Sequence, residues 1–210
     1  AKIATSKNYY SFIKNRPQIT NIYSNKLTHT LRSEINAILI GVNTHNKDNP
    51  LLNCRIDGLA HLSPARFIID PNLRINKNSK LIMTAKKIKT YIFYSDKNNN
   101  KINYLKNKNI YPIYLPLNKN KHIDCKEILV TIGLLGYKNV LIEGGYNTIK
   151  SFIDLNLIDI FYFFKNDEIV NKKSSHSFKN IYMTLKKRLK NNKIIQQVYL
   201  KNNTLTVFQK

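Results

Sequence analysis

The chain has 210 residues, of which 42% are hydrophobic, and it carries a formal net charge of +23. This length suits one domain of ordinary size, and apolar residues spread along the chain exclude a globally disordered protein. No apolar stretch approaches the roughly 20 residues of a membrane span and no signal segment opens the sequence, so we expect a soluble, cytoplasmic protein.

The predicted elements begin with a helix over 27–35 and a continuous apolar run over 36–42, typical of a strand buried on both faces. Further strands are predicted, in chain order, at 65–70, 80–85, 90–95 and 111–116. The lysine- and asparagine-rich tracts at 96–109 and 117–122 are predicted to be exposed loops.

The second half continues the alternation. A helix over 125–136 is predicted to be capped by Asp124 and ended by Gly136. A strand at 139–143 and a helix at 147–157 follow, and three terminal segments are predicted to be antiparallel strands with turns at 191–192 and 201–203. Those segments are 181–190, 193–201 and 204–210. The order predicts a three-layer α/β fold with a mixed sheet and a single domain over 1–210.

The basic charge is carried mainly by lysine, since 29 of the 35 basic residues are Lys and only 6 are Arg. A/T-rich codons favour Lys and Asn, and both are scattered over the predicted loops rather than gathered on one helix face. Codon bias and a solvated surface therefore explain most of the charge better than a selected nucleic-acid surface. A basic surface would still favour a small polyanionic ligand.

Cysteine and histidine spacing gives no sign of a metal site. Cys54 and Cys125 are isolated, so we expect both to be reduced and structural. The five histidines lack ligand spacing, and His45 is the one that we do not assign to the surface. No nucleophile elbow or Walker A loop is present in the sequence.

Two adjacent glycines, Gly144 and Gly145, follow the strand that ends at Glu143 and precede a helix that Asn147 or Thr148 could cap. Glycine permits φ > 0 and lets the backbone approach a ligand closely, and the start of a helix favours an anion. The pattern therefore predicts either a phosphate cradle at the carboxyl edge of the sheet or a simple tight turn.

A second polar cluster follows the strand at 36–42, with Thr44, Asp48 and Arg55 within a short stretch around Pro50. It indicates either a site presented by a buried strand or a short capped helix. Arg32 lies on an apolar helix face, where its fork would suit either a phosphate or an ion pair with Glu34 or a nearby Asp.

Together these segments resemble the reductase domain of the bifunctional riboflavin-biosynthesis deaminase/reductase. The stretches LRSEINAILIGVNTHNKDNPLLNCR (31–55), PARFIIDPNLRI (64–75) and VLIEGGYNTIKSFIDLNLIDIFYFF (140–164) match that family in order and spacing, and Lys2 matches its opening K-x-A-x-S.

The resemblance implies a dihydrofolate-reductase-like fold, NADPH as cofactor, and reduction of 5-amino-6-(5-phosphoribosylamino)uracil to its ribityl product. It assigns cofactor binding to Thr5, Thr44, Asp48, Gly144, Gly145, Tyr146, Asn147 and Thr148, and substrate binding to Arg32, Leu52, Arg55 and Glu143. Asp48, Lys2 and Glu143 are the implied catalytic groups. A homodimer and a separate or fused deaminase partner are also implied, although this sequence contains no deaminase motif.

The sequence departs from the family pattern at Ser6-Lys7-Asn8-Tyr9, where the family has S-L-D-G, and at residues 16–20, where a tryptophan is lost. The alternative is therefore a catalytically decayed relative that keeps the fold and binds a nucleotide or a partner.

Overall fold

The computed structural model describes residues 1–11, 19–170, 177–188 and 194–210. They form two compact units, one made of Ala1–Thr28 with Ile149–Lys210 and the other of His29–Thr148. Each unit has its own β-sheet, and helices alternate with the parallel strands, so the predicted α/β class is confirmed. Part of the departure at residues 16–20 and the turn predicted at 191–192 lie outside the described residues.

The sheet of the His29–Thr148 unit has five parallel strands in the order β5-β4-β3-β2-β6. The strands are β2 (Ala37–Gly41), β3 (Ala65–Ile69), β4 (Thr90–Tyr94), β5 (Ile110–Tyr114) and β6 (Val140–Ile142). The central strands are apolar on both faces because helices cover a parallel sheet. Ile38, Ile40, Ile68 and Ile92 are fully buried in its core.

The sheet of the other unit is mixed. Its strands are β1 (Lys2–Thr5), β7 (Ile160–Asn166), β8 (Ile194–Leu200) and β9 (Asn203–Gln209), in the order β1-β7-β9-β8. β1 runs parallel to β7, while β9 pairs antiparallel with both β7 and β8. The predicted terminal hairpin is thus confirmed, with its turn at Lys201, whose φ is 57°.

The helices are α1 (Ile22–Glu34), α2 (Val42–Asp48), α3 (Lys80–Met83), α4 (Asn99–Asn107), α5 (Cys125–Leu134), α6 (Tyr146–Asp154) and α7 (Lys179–Arg188). The Asp124 side chain caps α5 by accepting the Lys126 N–H, and Gly136 follows it with φ 89°, as predicted. None of the described helices combines the length and the apolar character needed to cross a membrane.

The strand predicted at 80–85 is wrong, because residues 80–83 form helix α3. Leu81, Ile82 and Ala85 are buried whereas Met83 is 76% exposed. Burial one and four positions after Leu81 is a helical pattern, while a strand would have buried Leu81 and Met83 on one face. A short apolar run does not show which period applies.

Two further predictions are also wrong, because each segment contains a helix. Residues 181–188 belong to helix α7 instead of a strand, with Ile181 and Leu185 buried one helical turn apart. The tract at 96–109 contains helix α4, whose N-terminus is capped by the Asn98 side chain accepting the Lys101 N–H at 3.1 Å. Its abundance of Lys and Asn had concealed the buried pair Ile102 and Leu105.

Candidate functional site

The carboxyl edge of the five-stranded sheet contains a point where the strand order reverses. From β2 the chain proceeds outward through β3, β4 and β5, whereas β6 lies on the opposite side of β2. Open α/β sheets bind ligands at such a switch point. Gly41 ends β2, and Gly144 comes two residues after β6, so glycines follow both strands that flank it.

The glycines at this edge are required by close packing. A Cβ atom on Gly144 would lie 2.6 Å from Thr148 Cβ, one on Gly41 would lie 2.7 Å from Thr148 Oγ1, and one on Gly145 would lie 3.0 Å from Thr44 Oγ1. None of the three glycines has a positive φ, although the sequence pattern permitted one at Gly144 and Gly145. The glycines with positive φ in the described residues are Gly58 and Gly136. We call Gly41, Gly144, Gly145, Thr44 and Thr148 the glycine edge.

Hydrogen bonding joins the two sides of the glycine edge. Gly145 N–H donates to Thr44 Oγ1 at 2.9 Å, linking the first turn of α2 to the residue that precedes α6. Helix α6 begins at Tyr146, so Asn147 and Thr148 lie inside its first turn and the predicted capping role of either residue is wrong. Two helix starts and two threonine hydroxyls form a neutral donor set that fits the phosphates of a dinucleotide.

Beside β6, Arg32 and Glu143 form a bidentate ion pair. Arg32 Nε donates to Glu143 Oε1 at 2.9 Å and Nη2 donates to Oε2 at 2.8 Å, with only 10% and 11% of the two side chains exposed. Burial opposes the charge of Arg32, but Glu143 raises the pKa of its guanidinium above the ordinary value. The ion-pair interpretation of Arg32 is therefore correct, with Glu143 rather than Glu34 as its partner.

The same guanidinium reaches a loop that follows α2. Arg32 Nη1 donates to the Asn53 carbonyl at 3.2 Å. His29 Nδ1 lies 3.1 Å from that carbonyl and 3.2 Å from the Arg55 backbone N–H. Arg55 itself is exposed, and its Nη1 donates to Asn53 Oδ1 at 3.2 Å. We call His29, Arg32, Asn53, Arg55 and Glu143 the arginine cluster.

His29 was assigned to the surface from the sequence, and the structure makes it half-buried. Burial, helped by the charges of Arg32 and Arg55, lowers the pKa of His29 to about 4. The imidazole is neutral at pH 7, and its tautomer decides whether Nδ1 donates to the Asn53 carbonyl or accepts the Arg55 N–H. The available signal was its position three residues before Arg32 on the same helix, which places both side chains on one face. His45 is fully buried, as predicted.

The other predicted residues of this unit occupy different surroundings. Leu52 has φ 52°, and its side chain is buried in the core of the sheet. Asp48 ends α2, about one helical turn beyond Thr44, and its side chain remains open to solvent. Partial desolvation raises the pKa of Asp48 above its ordinary value, and the charge of Lys47 acts against that shift.

Lys2 and Thr5 belong to the other unit. The Lys2 ammonium lies 5.4 Å from the centre of the Phe164 ring. Thr5 is fully buried, and its Oγ1 has no hydrogen-bond partner within the described part of the chain.

The segment that departs from the S-L-D-G pattern is also held in this unit. Tyr9 has φ 68°, in the region that glycine favours. The Phe178 N–H donates to the Tyr9 carbonyl at 2.8 Å, and the Tyr9 and Tyr182 rings lie 5.2 Å apart. These contacts stabilise a conformation that is unusual for tyrosine.

Comparison with known proteins places the chain. A family model described as the RibD C-terminal domain matches residues 5–178. The riboflavin biosynthesis protein RibD of Aquifex aeolicus (strain VF5) is 33% identical over 141 residues, which cover 67% of this chain and 37% of that protein. The chain thus spans less than half the length of the curated relatives it matches.

Solved structures show the same fold. The riboflavin biosynthesis reductase Rib7 of Saccharomyces cerevisiae matches with a TM-score of 0.73 at 17% identity, covering 99% of this chain and 87% of that one. Dihydrofolate reductase from Enterococcus faecalis, complexed with NADP(H), matches with a TM-score of 0.51 at 11% identity, covering 99% and 93%. The predicted dihydrofolate-reductase-like fold is confirmed, and the match over most of its length shows that the chain belongs to the RibD C-terminal domain family.

Proposed function

We propose that this chain is an NADPH-dependent reductase that converts 5-amino-6-(5-phosphoribosylamino)uracil to 5-amino-6-(5-phosphoribitylamino)uracil in riboflavin biosynthesis. The observation that supports this most is the switch point of the parallel sheet, where the starts of α2 and α6 meet at the glycine edge and Thr44 Oγ1 accepts the Gly145 N–H. Family membership and the reductase named among the structural relatives support the same activity.

The glycine edge would hold the cofactor phosphates. Thr44 Oγ1 accepts the Gly145 N–H, so the hydroxyl proton of Thr44 is directed elsewhere and can be donated to a phosphate oxygen. The residues assigned to this contact are Thr44, Gly144, Gly145, Tyr146, Asn147 and Thr148. The bound cofactor supplies a hydride for C1′ of the ribosyl group.

The arginine cluster would bind the substrate. The Arg32 fork already holds Glu143, so we assign the 5′-phosphate first to the exposed guanidinium of Arg55. Arg32 fixes the Glu143 carboxylate, whose remaining lone pairs can accept hydrogen bonds from the ribose or the pyrimidine. Leu52 remains a proposed substrate contact on the basis of the family resemblance alone, because the whole residue is 2% exposed.

Asp48 would move the proton. In the proposed reaction the C1′–O4′ bond of the ribosyl ring opens to an imine-like species, hydride adds to C1′, and a proton goes to O4′. Partial desolvation raises the pKa of Asp48, which is the direction that suits a proton donor. Thr5 remains a proposed cofactor contact and Lys2 a proposed proton donor, both on the basis of the family resemblance alone.

The direct test mixes the purified chain with NADPH and the phosphoribosylaminouracil substrate and follows the loss of absorbance of the reduced nicotinamide. We expect substrate-dependent oxidation and the ribityl product. NADPH binding without oxidation at high protein concentration would favour the catalytically decayed relative instead. Absence of NADPH binding would overturn the cofactor assignment as well.

A homodimer and a deaminase partner are proposed on the basis of the family resemblance. Light scattering of the full chain is expected to give the mass of two copies, and a monomer at all concentrations would remove the dimer from the proposal. The deaminase partner is tested by adding purified deaminase to the reductase assay, where the deaminase substrate should then support NADPH oxidation.

A further inference from the structure

A second concave region lies at the opposite end of the parallel sheet from the glycine edge. It is a cleft of about 750 Å³ lined by four segments of the His29–Thr148 unit, at 33–36, 60–65, 87–89 and 136–138. These segments immediately precede β2, β3, β4 and β6, so the cleft opens at the amino edge of the sheet. We call it the amino-edge cleft. Its volume is in the range of small-ligand sites.

The lining of the amino-edge cleft is strongly basic. Lys87, Lys89 and Lys138 are exposed there together with His61, and among the described lining residues Glu34 is the single carboxylate. Hydroxyl groups of two serines, Ser33 and Ser63, and of Tyr137 also line the cleft. Three ammonium groups around one concavity concentrate positive potential, since low-dielectric walls focus the field.

Backbone hydrogen bonds tie the walls of the cleft together. Ala37 N–H donates to the Asn139 carbonyl at 3.1 Å, and Ala65 N–H donates to the Asn36 carbonyl at 3.0 Å. Arg66 N–H donates to the Lys89 carbonyl at 2.9 Å. Each bond joins two segments that come from different parts of the sequence, so the cleft is pre-formed and binding would require little ordering.

Arg66 carries a buried charge but is not itself a lining residue, and of its side-chain hydrogen bonds to described residues only the one to the Ile88 carbonyl reaches the cleft wall. Its guanidinium is fully buried, and within the described part of the chain its six hydrogen bonds all go to neutral oxygens. One of them holds the Ile88 carbonyl at 3.1 Å, between the two lysines of that wall. Burial lowers the pKa of Arg66 to about 10, which still leaves it charged at pH 7. A nearby anion would offset the cost of this buried charge.

We propose that the amino-edge cleft binds a small phosphorylated molecule of nucleotide size, independently of the reductase reaction. Three exposed lysine ammonium groups around one concavity, with a single carboxylate among the described lining residues, match a phosphate dianion. A nucleic-acid strand fits less well, because the aromatic rings among the described lining residues are only those of His61 and Tyr137, and Tyr137 already packs against Phe67 and Tyr91. A row of exposed rings, which single strands use for stacking, is not formed by those residues.

The test is an NMR titration of the isotope-labelled full chain with AMP as the probe. We expect saturable shifts at the amides of 33–36, 60–63, 65 and 87–89. The triple variant Lys87→Gln, Lys89→Gln, Lys138→Gln is expected to lose about tenfold in affinity, since each ammonium contributes a modest amount. The matched triple Lys97→Gln, Lys106→Gln, Lys119→Gln removes the same charge at exposed positions outside the cleft and is expected to change affinity less than about twofold.

Three results would overturn the proposal. Shifts confined to residues 144–148 would place AMP at the glycine edge alone. Equal losses in the two triple variants would indicate attraction by net charge without a site. An oligonucleotide that binds far more tightly than AMP, with a steep salt dependence, would indicate a nucleic-acid surface. Because the six lysines are exposed, thermal melting should show that both triple variants are folded. The single variant Lys89→Glu reverses one charge of the cleft and should also weaken AMP binding.

Discussion

The glycine edge and the arginine cluster lie in the same unit and share the segment that follows β6, but different forces hold them. At the glycine edge the contacts are neutral and the packing is so close that an added Cβ would lie only 2.6–3.0 Å from a threonine atom. In the arginine cluster a charged pair is satisfied within the protein before any ligand arrives. The glycine edge therefore tolerates no larger side chain at its glycines, while the arginine cluster holds charged groups in a fixed orientation.

Measurements of turnover should distinguish Asp48, the residue proposed to transfer a proton, from the residues of the glycine edge and the arginine cluster. Asp48→Asn keeps the size of the side chain but removes its acidic proton, so we expect turnover to fall by about 10²–10⁴-fold. NADPH affinity, measured by fluorescence titration, should stay nearly constant. Asp57→Asn is the control, since it makes the same charge change at an exposed position of the same unit. A fully active Asp48→Asn enzyme would remove the proton-transfer role.

The free energy of unfolding should distinguish the buried ion pair of the arginine cluster from an exposed ion pair. Glu143→Gln leaves the Arg32 charge nearly buried without its bidentate partner, which should lower the free energy of unfolding by about 3 kcal/mol. The exposed pair of Lys150 and Asp154 in α6 provides the comparison, and Asp154→Asn should cost less than about 1 kcal/mol. Urea denaturation measures both. Equal effects would show that burial does not distinguish the two pairs.

The glycine edge can be tested by adding back the missing Cβ. Gly144→Ala and Gly41→Ala should each lower the free energy of unfolding by about 1–3 kcal/mol through overpacking, and both should weaken NADPH binding. Gly133→Ala is the control, because a Cβ at that helix position meets nothing within 4 Å and should stabilise the protein by about 0.5–1 kcal/mol.

A second substitution distinguishes the two clashes. The Cβ added by Gly41→Ala would meet Thr148 Oγ1, whereas the Cβ added by Gly144→Ala would meet Thr148 Cβ as well as Cγ2. Thr148→Ala removes Oγ1 and Cγ2 but keeps Cβ, so it should relieve most of the Gly41→Ala penalty and only part of the Gly144→Ala penalty. Equal relief in the two double mutants would contradict the contact geometry.

The pH dependence of stability tests the arginine cluster through His29. His29 has a pKa of about 4 in the folded chain against an ordinary value of 6.5, so the unfolded chain binds more protons between these values. Its contribution to stability is present above pH 6.5 and is lost as the pH falls towards 4. His29→Asn keeps a neutral hydrogen-bonding side chain and should flatten this part of the profile. If His29→Asn leaves the slope of unfolding free energy against pH unchanged in urea titrations, His29 is not the cause of this pH dependence.

The strands that frame the site could be predicted because buried parallel strands are apolar on both faces and end at glycine or polar residues. The runs at 36–42, 65–70, 90–95 and 111–116 all gave strands. Residues 80–83 and 181–188 could not be assigned correctly from short apolar patterns, since their helical burial depends on what packs against them.

The site was less predictable than the fold. Order and spacing marked Arg32 and Glu143 as functional candidates, but their pairing joins residues 111 positions apart and required the folded chain. The glycines were recognised at the correct edge, whereas their reason is contact with Thr44 and Thr148 instead of a left-handed backbone. Side-chain volume across a fold is set by tertiary packing, which local patterns do not report.

The proposed reaction transfers a hydride from NADPH to the phosphorylated substrate of this chain. The most direct measurement incubates the full chain with the substrate and NADPH deuterated at the transferring position of nicotinamide C4, followed by mass spectrometry of the product. We predict one deuterium per ribityl product, located at C1′. Product without deuterium, or no product from a chain that binds NADPH, would contradict the account.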